Sequence, residues 1–438
     1  MQKQKTLAKW LAIILLSSIA VGSYVLYDAL YLKKQDNEAS ADIGKDNQPI
    51  EKTEDGTYIP YYTTLPRKAE TIDNFKVTHF GGEDDDTLID VINFGKKRFA
   101  IFNSNSVEFD MREKGLSVAL VNNGVERVIT LGENLTYIDG KMSSNGVAIL
   151  TESNTQCTLH FLNTSGDKIA EIPLPYFECG RLYLSGQTLT LFAIENGYLH
   201  HYKFGDNLTT MKSPYMFKTN CTAITEIFDK DNGQGIVLTN GTTTEICSFD
   251  NNSGFTSHFC NNKLSFKQII TAGTPESSNY IVYGKEYGTP TLYALDNTLS
   301  MLSSKSINDV EDGVILPYSD GFIFVGNGIT KSYCKHLDEV MSSPNNLSFE
   351  KVTTLTYCAR GVLAVIEDQN SFEKLAYITG ETTLTKDIDF SGEIVGLSTN
   401  ADGFSLHLNT NSAMGIFRAN FGKTDPFILD FYLSFFDV

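Results

Sequence analysis

The sequence predicts an all-β fold made of repeated groups of short strands, and three observations support this prediction. A Gly or a substitute for it opens each copy of a recurrent phrase, and a run of apolar or small residues follows. Successive copies begin roughly 40 to 48 residues apart. The segments are short, rich in β-branched and aromatic residues, and no stretch combines a helical period with caps. The clearest copies begin at Gly146, Gly235, Gly321, Gly361 and Gly403, and less regular copies at Arg98, Gln187 and Asn279.

The repeat length also predicts how the strands are grouped. A period of about 45 residues is typical of a four-stranded propeller blade, and residues 75–438 would hold about eight blades, with seven as the alternative. Phe75-Lys-Val-Thr-His-Phe80 is a candidate outer strand for the last blade, which would close the ring and remove an exposed edge.

The repeat resembles β-propeller proteins at the level of the fold alone. Trp10 is the only Trp, so the Trp-Asp signature of WD repeats, the Trp docking motif of quinoprotein-type propellers and the Trp-ending Asp-box of sialidases are all missing. No functional residue is therefore carried over from these families. The chain also lacks G-x-S-x-G, H-E-x-x-H and G-x-x-x-x-G-K motifs, and we predict no cofactor.

The N-terminal region predicts a membrane anchor followed by a tether. Residues 10–32 contain an uncharged run, Trp10 to Tyr27, which is about long enough to span a bilayer as a helix. Lys3, Lys5 and Lys9 precede this run and slightly outnumber the bases just after it, so residues 1–9 are predicted to be a cytoplasmic stub. Residues 33–74 are polar and are predicted to be a flexible tether. The alternative is a signal peptide cleaved after Gly22.

The charge of the chain limits its partners. The formal net charge is −18 at pH 7, and an acidic body repels phosphate backbones and anionic lipid headgroups. A nucleic-acid partner is therefore not predicted. The membrane contact is assigned to residues 10–32, and the body, residues 75–438, is predicted to lie outside the cytoplasm.

Two groups of side chains are candidates for a metal site and a disulfide. The acids Glu83, Asp84, Asp85 and Asp86 follow two glycines in a predicted loop. Hard cations need several oxygen ligands, so this loop is a candidate cation site, with a solvated turn as the alternative. Among seven cysteines, Cys247 and Cys260 flank a turn at residues 250–254. A hairpin there would place them opposite each other, so they are the candidate disulfide.

The leading functional expectation is a non-catalytic module that binds or scaffolds a protein or a glycan, because a propeller offers a large rigid rim of loops. The alternative is a propeller enzyme, such as a glycan hydrolase or lyase, with its site at the mouth of the central channel. Such a site would combine residues far apart in the chain. Several acids and a His converging at one mouth would favour the enzyme. A third possibility is a structural or sensory subunit of a membrane assembly.

The predicted topology can be tested with protease on intact spheroplasts. We expect residues 75–438 to be degraded and a tag on residues 1–9 to be spared, because the basic residues before the apolar run hold that end in the cytoplasm. Immunoblots of both ends measure this. A body that resists protease until lysis would have the opposite orientation, and a soluble product starting at Ser23 would indicate cleavage.

Overall fold

The computed structural model describes most of the chain from residue 76 onward, and the structural statements below concern these residues. The described ranges are 76–79, 87–94, 97–104, 115–122, 125–143, 145–205, 210–230, 233–274, 277–358, 361–387, 393–400, 403–410 and 425–432. The candidate anchor at residues 10–32, the tether and the acidic loop Glu83 to Asp86 lie outside them. No helix long and apolar enough to cross a membrane occurs within the described ranges.

The described residues form 32 strands in eight four-stranded antiparallel sheets, and they contain no helix. We number the sheets as blades one to eight and give their strands from the innermost to the outermost.

Blades one to four each consist of four consecutive strands. Blade one contains β2 (Thr87–Phe94), β3 (Lys97–Ser104), β4 (Gly115–Val121) and β5 (Val125–Gly132). Blade two contains β6 (Thr136–Ser143), β7 (Gly146–Glu152), β8 (Cys157–Asn163) and β9 (Lys168–Leu174). Blade three contains β10 (Cys179–Ser185), β11 (Thr188–Glu195), β12 (Tyr198–Phe204) and β13 (Thr210–Lys218). Blade four contains β14 (Ala223–Lys230), β15 (Gly233–Asn240), β16 (Thr243–Asp250) and β17 (Gly254–Asn261).

Blades five to seven continue this order, and blade eight departs from it. Blade five contains β18 (Leu264–Thr274), β19 (Ser277–Glu286), β20 (Thr289–Leu295) and β21 (Met301–Ser306). Blade six contains β22 (Gly313–Tyr318), β23 (Gly321–Gly326), β24 (Ile329–Cys334) and β25 (Glu339–Pro344). Blade seven contains β26 (Lys351–Cys358), β27 (Gly361–Glu367), β28 (Glu373–Thr379) and β29 (Thr383–Asp387). Blade eight contains β30 (Glu393–Asn400), β31 (Gly403–Thr410), β32 (Asp425–Tyr432) and β1 (Lys76–His79).

The first strand of the chain completes the last blade. β1 pairs antiparallel with β32, with Lys76 opposite Asp430 and His79 opposite Phe427. The outer strand predicted at residues 75–80 is therefore confirmed. A side chain adds a second link between blades eight and one: Asn409 Oδ1 accepts from the backbone N–H of Leu88 at 2.8 Å, and its Nδ2 donates to the Leu88 carbonyl at 2.9 Å.

The core consists of apolar layers between neighbouring blades. One layer joins blades two and three, and it includes Cys157, Leu159 and Phe161 on one face of β8, as the alternation along this strand predicts. Further layers join blades one and two, three and four, four and five, five and six, and six and seven. Because these layers cover both faces of blades two to six, the second strand of each of these blades is an almost continuous buried apolar run, such as Val147 to Leu150.

The repeated glycine has a steric explanation. At Gly146, an added Cβ would lie 1.9 Å from the carbonyl oxygen of Leu162 on the neighbouring strand, and the φ of +153° also disfavours other residues. Gly321 and Gly361 meet the same close approach, at 2.1 and 2.0 Å. In blade four the equivalent residue is Gly233, which opens β15, rather than Gly235 of the sequence phrase.

The predicted hairpin between Cys247 and Cys260 forms, but its register corrects the expected disulfide. Cys247 lies opposite Ser257, and Cys260 lies opposite Glu245, because the hairpin turns about residues 250–254 and this register offsets the two cysteines along the strands. Cys247 is fully buried in the layer between blades three and four, whereas Cys260 is exposed. Both thiols are free in the structure.

The amide of Asn409 should matter more for stability than a surface amide. Asn409→Ala removes the side chain that, among the described residues, hydrogen-bonds both backbone groups of buried Leu88. An unsatisfied buried polar group costs about 1–3 kcal/mol of stability. We expect denaturant unfolding of the full-length chain to show a loss of about 2 kcal/mol. The control Asn122→Ala, which removes a surface bond to Glu126, should change stability by less than about 0.5 kcal/mol. Equal effects would contradict the link.

Candidate functional site

Charged side chains occupy one register position on the inner strands of blades one to four. Register shifts fall immediately before Asp90, Asp139 and Glu226 on β2, β6 and β14. Arg181 takes the equivalent place on β10, which has no shift. Each of the four lies seven residues before the first residue of the next strand. Bulges re-aim side chains and are common beside active sites, so this position is the first candidate for function.

The same position is uncharged in blades six to eight. Val314, Thr354 and Gly396 lie seven residues before the next strand in those blades. In blade five, the position after the register shift holds Gln268. The charged residues therefore form an arc on one side of the ring instead of a uniform band. We call this group, together with Tyr137 and Lys141 of β6, the inner arc.

Asp139 and Arg181 connect three blades within the inner arc. Arg181 Nη1 donates to Asp139 Oδ1 at 3.2 Å, and the backbone N–H of Leu182 donates to Asp139 Oδ2 at 2.7 Å. Arg181 Nε also donates to the carbonyl of Ile224 in blade four at 3.3 Å. Both oxygens of Asp139 are thus engaged. Burial raises the pKa of its carboxyl, and the charge of Arg181 opposes that shift.

Tyr137 and Asp90 form the second polar pair of the arc. The hydroxyl of Tyr137 donates a hydrogen bond to the carboxylate of Asp90 in the neighbouring blade. Burial raises the pKa of Tyr137 well above its usual value, and the charges of Asp90 and Asp139 raise it further. The phenol is therefore a neutral hydrogen-bond donor across the physiological pH range.

Among the three acids of the inner arc, Glu226 is the one whose carboxylate is available to bind a ligand. Within the described ranges it has no hydrogen bond and no ion pair, and its side chain is exposed to solvent. Burial nevertheless raises the pKa of its carboxyl, while the charges of Arg181 and Lys141 lower it. Exposure to solvent together with desolvation is expected of a side chain in a concave region, where protein surrounds the group but water still reaches it.

Two further polar residues, Gln268 on the inner strand of blade five and Asp312 just before that of blade six, have structural partners. Gln268 Oε1 accepts from the backbone N–H of Ile315 at 2.9 Å, and its Nε2 donates to the hydroxyl of Tyr357 at 2.9 Å. Asp312 accepts from the hydroxyl of Tyr283 at 2.8 Å. These contacts join blades five, six and seven, and they leave little capacity for a ligand.

The structure brings together residues that the sequence did not single out. The inner arc was missed because the inner strands mix polar with apolar residues and lack the glycine-led phrase. Its signal was a charged residue seven positions before the second strand of blades one to four, as at Asp139 before Gly146. The predicted cation loop, Glu83 to Asp86, lies outside the described residues. Within them, no group of three or more His, Cys, Asp or Glu side chains is arranged to hold a metal ion.

Comparison with known proteins supports the fold and nothing finer. No protein family matches the chain, and no curated protein matches its sequence. The solved Dos1 propeller is similar in structure, with a TM-score of 0.52 and 12% identity over 81% of this chain and 95% of that one. The chain is a β-propeller. A streptogramin B lyase (TM-score 0.41, 14% identity, 67% and 93% covered) and the dihydro-heme d1 dehydrogenase NirN (0.47, 10%, 69% and 67%) are more distant matches.

The ion pair between Arg181 and Asp139 predicts a pH-dependent effect of mutation. The folded-state pKa of Asp139 lies above its usual value. At a pH above the folded-state pKa, ionisation of Asp139 therefore lowers the stability of the fold. This cost disappears as the pH falls from the folded-state pKa to the unfolded-state pKa of the carboxyl. Arg181→Gln raises the folded pKa further. We expect the variant to lose about 1–2 kcal/mol at pH 7, less than a fully buried pair would lose because Arg181 is 45% exposed.

Denaturant unfolding of the full-length chain at pH 7 and pH 4 measures this effect. The difference between the variant and the wild type should shrink at pH 4, where Asp139 takes up a proton. Arg127→Gln is the matched control, since its partner Asp167 is at the surface and 51% exposed, and it should cost less than about 1 kcal/mol. A loss that is the same at both pH values would contradict the assignment.

Proposed function

We propose that the inner arc of this propeller is a non-catalytic binding site for a glycan. The observation that carries the proposal is Glu226, an accessible carboxylate without a partner in the described part of the chain, beside Arg181 and Lys141. Neighbouring acids of the arc are already satisfied by inter-blade contacts. A carboxylate with a raised pKa and no partner is more consistent with a ligand than with a structural role.

The composition of the arc favours a saccharide over other ligands. The carboxylate of Glu226 accepts hydrogen bonds, and the ammonium of Lys141 and the exposed part of the Arg181 guanidinium donate them. Sugar hydroxyls do both, so they can pair with these three groups. The arc carries three acids and two bases, so its charge is close to neutral and favours a neutral ligand. The arc lies on the inner strands of the propeller. This position favours a narrow oligosaccharide, which can enter along the axis, over the broad face of a folded protein.

The proposal keeps the membrane anchor at residues 10–32 and the extracytoplasmic position of the body. The support is the charge and aromatic pattern of the N-terminal sequence. A tethered propeller of this kind would hold its ligand near the membrane surface. A protein partner that contacts the rim loops is compatible with the same arrangement.

An enzyme acting on glycans is the alternative, and one observation favours it. Asp139 and Glu226 both have raised pKa values, and many glycan hydrolases use two carboxyl groups, one of them protonated. Two observations count against it. Both oxygens of Asp139 are occupied by Arg181 and by the backbone of Leu182, and the arc includes no His among its described members.

Binding can be measured with a panel of neutral oligosaccharides built from glucose, xylose, mannose and N-acetylglucosamine. We expect saturation-transfer NMR to show binding of at least one of them to the full-length chain in mild detergent. Glu226→Gln should weaken that binding about tenfold or more, because a hydrogen bond to a charged group contributes about 1.5–3 kcal/mol. Glu195→Gln is the matched control, since Glu195 pairs with Lys212 in another part of blade three.

Three outcomes would revise the proposal. Failure of every saccharide to bind would reject the glycan ligand. Equal weakening by Glu226→Gln and Glu195→Gln would place the site elsewhere. Cleavage of a bound saccharide, abolished by Glu226→Gln, would establish the enzyme instead of the binding module.

A further inference from the structure

In the described part of the propeller, three hydroxyl–imidazole pairs lie between neighbouring strands. In each pair, a Ser or Thr oxygen is within hydrogen-bond distance of a His Nε2 atom. This is the contact that activates a hydroxyl nucleophile when the imidazole can take up the proton. The pairs are Thr151 with His160 at 3.0 Å, Ser248 with His258 at 2.7 Å, and Ser398 with His407 at 3.1 Å.

The pair in blade four is the shortest, and it borders an open cavity. Ser248 lies on β16, and His258 lies on β17 at a bulge, so it has no partner in the register. Both side chains are half-buried. Ser248 lines a cavity of about 340 Å³ whose wall is mainly polar and includes Lys230 and Gln234. A small molecule in this cavity could therefore reach the Ser248 hydroxyl.

Of the other two pairs, Thr151–His160 is inaccessible to a substrate, and Ser398–His407 has a weakly basic imidazole. Thr151 is fully buried and His160 is 2% exposed, so no substrate can reach that pair. Ser398 is partly accessible, but His407 is 3% exposed. Burial lowers the pKa of His407 to about 3, and the charge of Arg98 contributes. Such an imidazole is a poor proton acceptor at neutral pH. These two pairs supply internal controls with the same contact.

We propose that Ser248 is a nucleophile, activated by His258, which is acylated by small esters bound in the cavity of blade four. This site is separate from the inner arc and goes beyond the proposed glycan binding. The oxygen of Ser248 forms a bond to the ester carbonyl carbon, and its proton moves to Nε2 of His258. The bond from that carbon to the leaving oxygen breaks, and the leaving group takes the proton from His258. Water then hydrolyses the acyl-serine by the same route.

Two nearby charges fit this chemistry. Lys230 lines the cavity together with Ser248, so its ammonium group can stabilise the negative oxygen that develops on the attacked carbonyl. Burial is the main cause that lowers the pKa of His258, and the charge of Lys230 lowers it further. The charge of Asp296 in blade five raises it. Asp296 acts on His258 at a distance, since its Oδ1 accepts from Thr298 and Ser300. The site is therefore a pair of residues rather than a triad.

The experiment uses a fluorophosphonate, whose phosphonyl group forms a bond to the oxygen of an activated Ser with loss of fluoride. The full-length chain is treated in mild detergent and digested, and mass spectrometry locates the adduct. We expect the adduct on Ser248 and none on Thr151 or Ser398. His258→Gln should slow labelling about 100-fold or more, the usual contribution of a general base. Hydrolysis of p-nitrophenyl acetate should fall by a similar factor in His258→Gln and in Ser248→Ala.

Controls separate a nucleophile from a structural hydrogen bond. Ser398→Ala should leave both labelling and ester hydrolysis unchanged. The variants at residues 248 and 258 should unfold at the wild-type midpoint, since both side chains are half-buried. An untouched Ser248, or labelling of Ser248 that His258→Gln does not slow, would overturn the proposal. Saccharide binding by Ser248→Ala tests independence: loss of ester hydrolysis with intact binding is expected, and loss of both would reject a separate site.

Discussion

The pairing of β1 with β32 is the contact on which the rest of this propeller depends. Each sheet has apolar residues on both faces and needs a neighbour on each side. A linear stack would leave two faces uncovered, at blades one and eight. Pairing strands from the two ends of the propeller sequence fixes blade eight beside blade one, and the amide of Asn409 reinforces that junction by bonding both backbone groups of Leu88. Closure thus gives blades one and eight a neighbour on the side that a linear stack would leave open.

Apolar layers supply the bulk of the cohesion, and polar contacts fix how neighbouring blades align. Apolar contact is non-directional, so a layer such as that between blades two and three tolerates small shifts. Hydrogen bonds are directional. Asp139 to Leu182 and Gln268 to Ile315 each join a side chain to the backbone of the next inner strand. Blade two cannot slide against blade three, nor blade five against blade six, without breaking one of these bonds and leaving a buried group unpaired.

The two proposed sites use different parts of a blade. In the inner arc, a bulge on the inner strand precedes the charged residue in blades one, two and four, and Arg181 takes the same position in blade three without a bulge. The Ser248–His258 pair is set by a bulge on the outer strand of blade four, at His258. In both places the ladder is locally interrupted. An interrupted ladder frees a side chain from the packed face of the sheet, which explains why reactive groups lie there in a fold whose strand faces are otherwise used for stacking.

The sequence by itself determined the all-β class, the blade period and the role of the first strand. These features depend on local turns and on the alternation along single strands, as in Cys157 to Phe161, so they can be read from neighbouring residues. Only the tertiary structure decided that Asp90, Asp139, Arg181 and Glu226 lie at the same register position of neighbouring inner strands, and that Cys247 and Cys260 do not lie opposite each other. The arc residues come from four blades about 45 residues apart, and the register of the hairpin in blade four sets which residues face Cys247 and Cys260. Contacts of this kind depend on closure and register, which local sequence patterns do not specify.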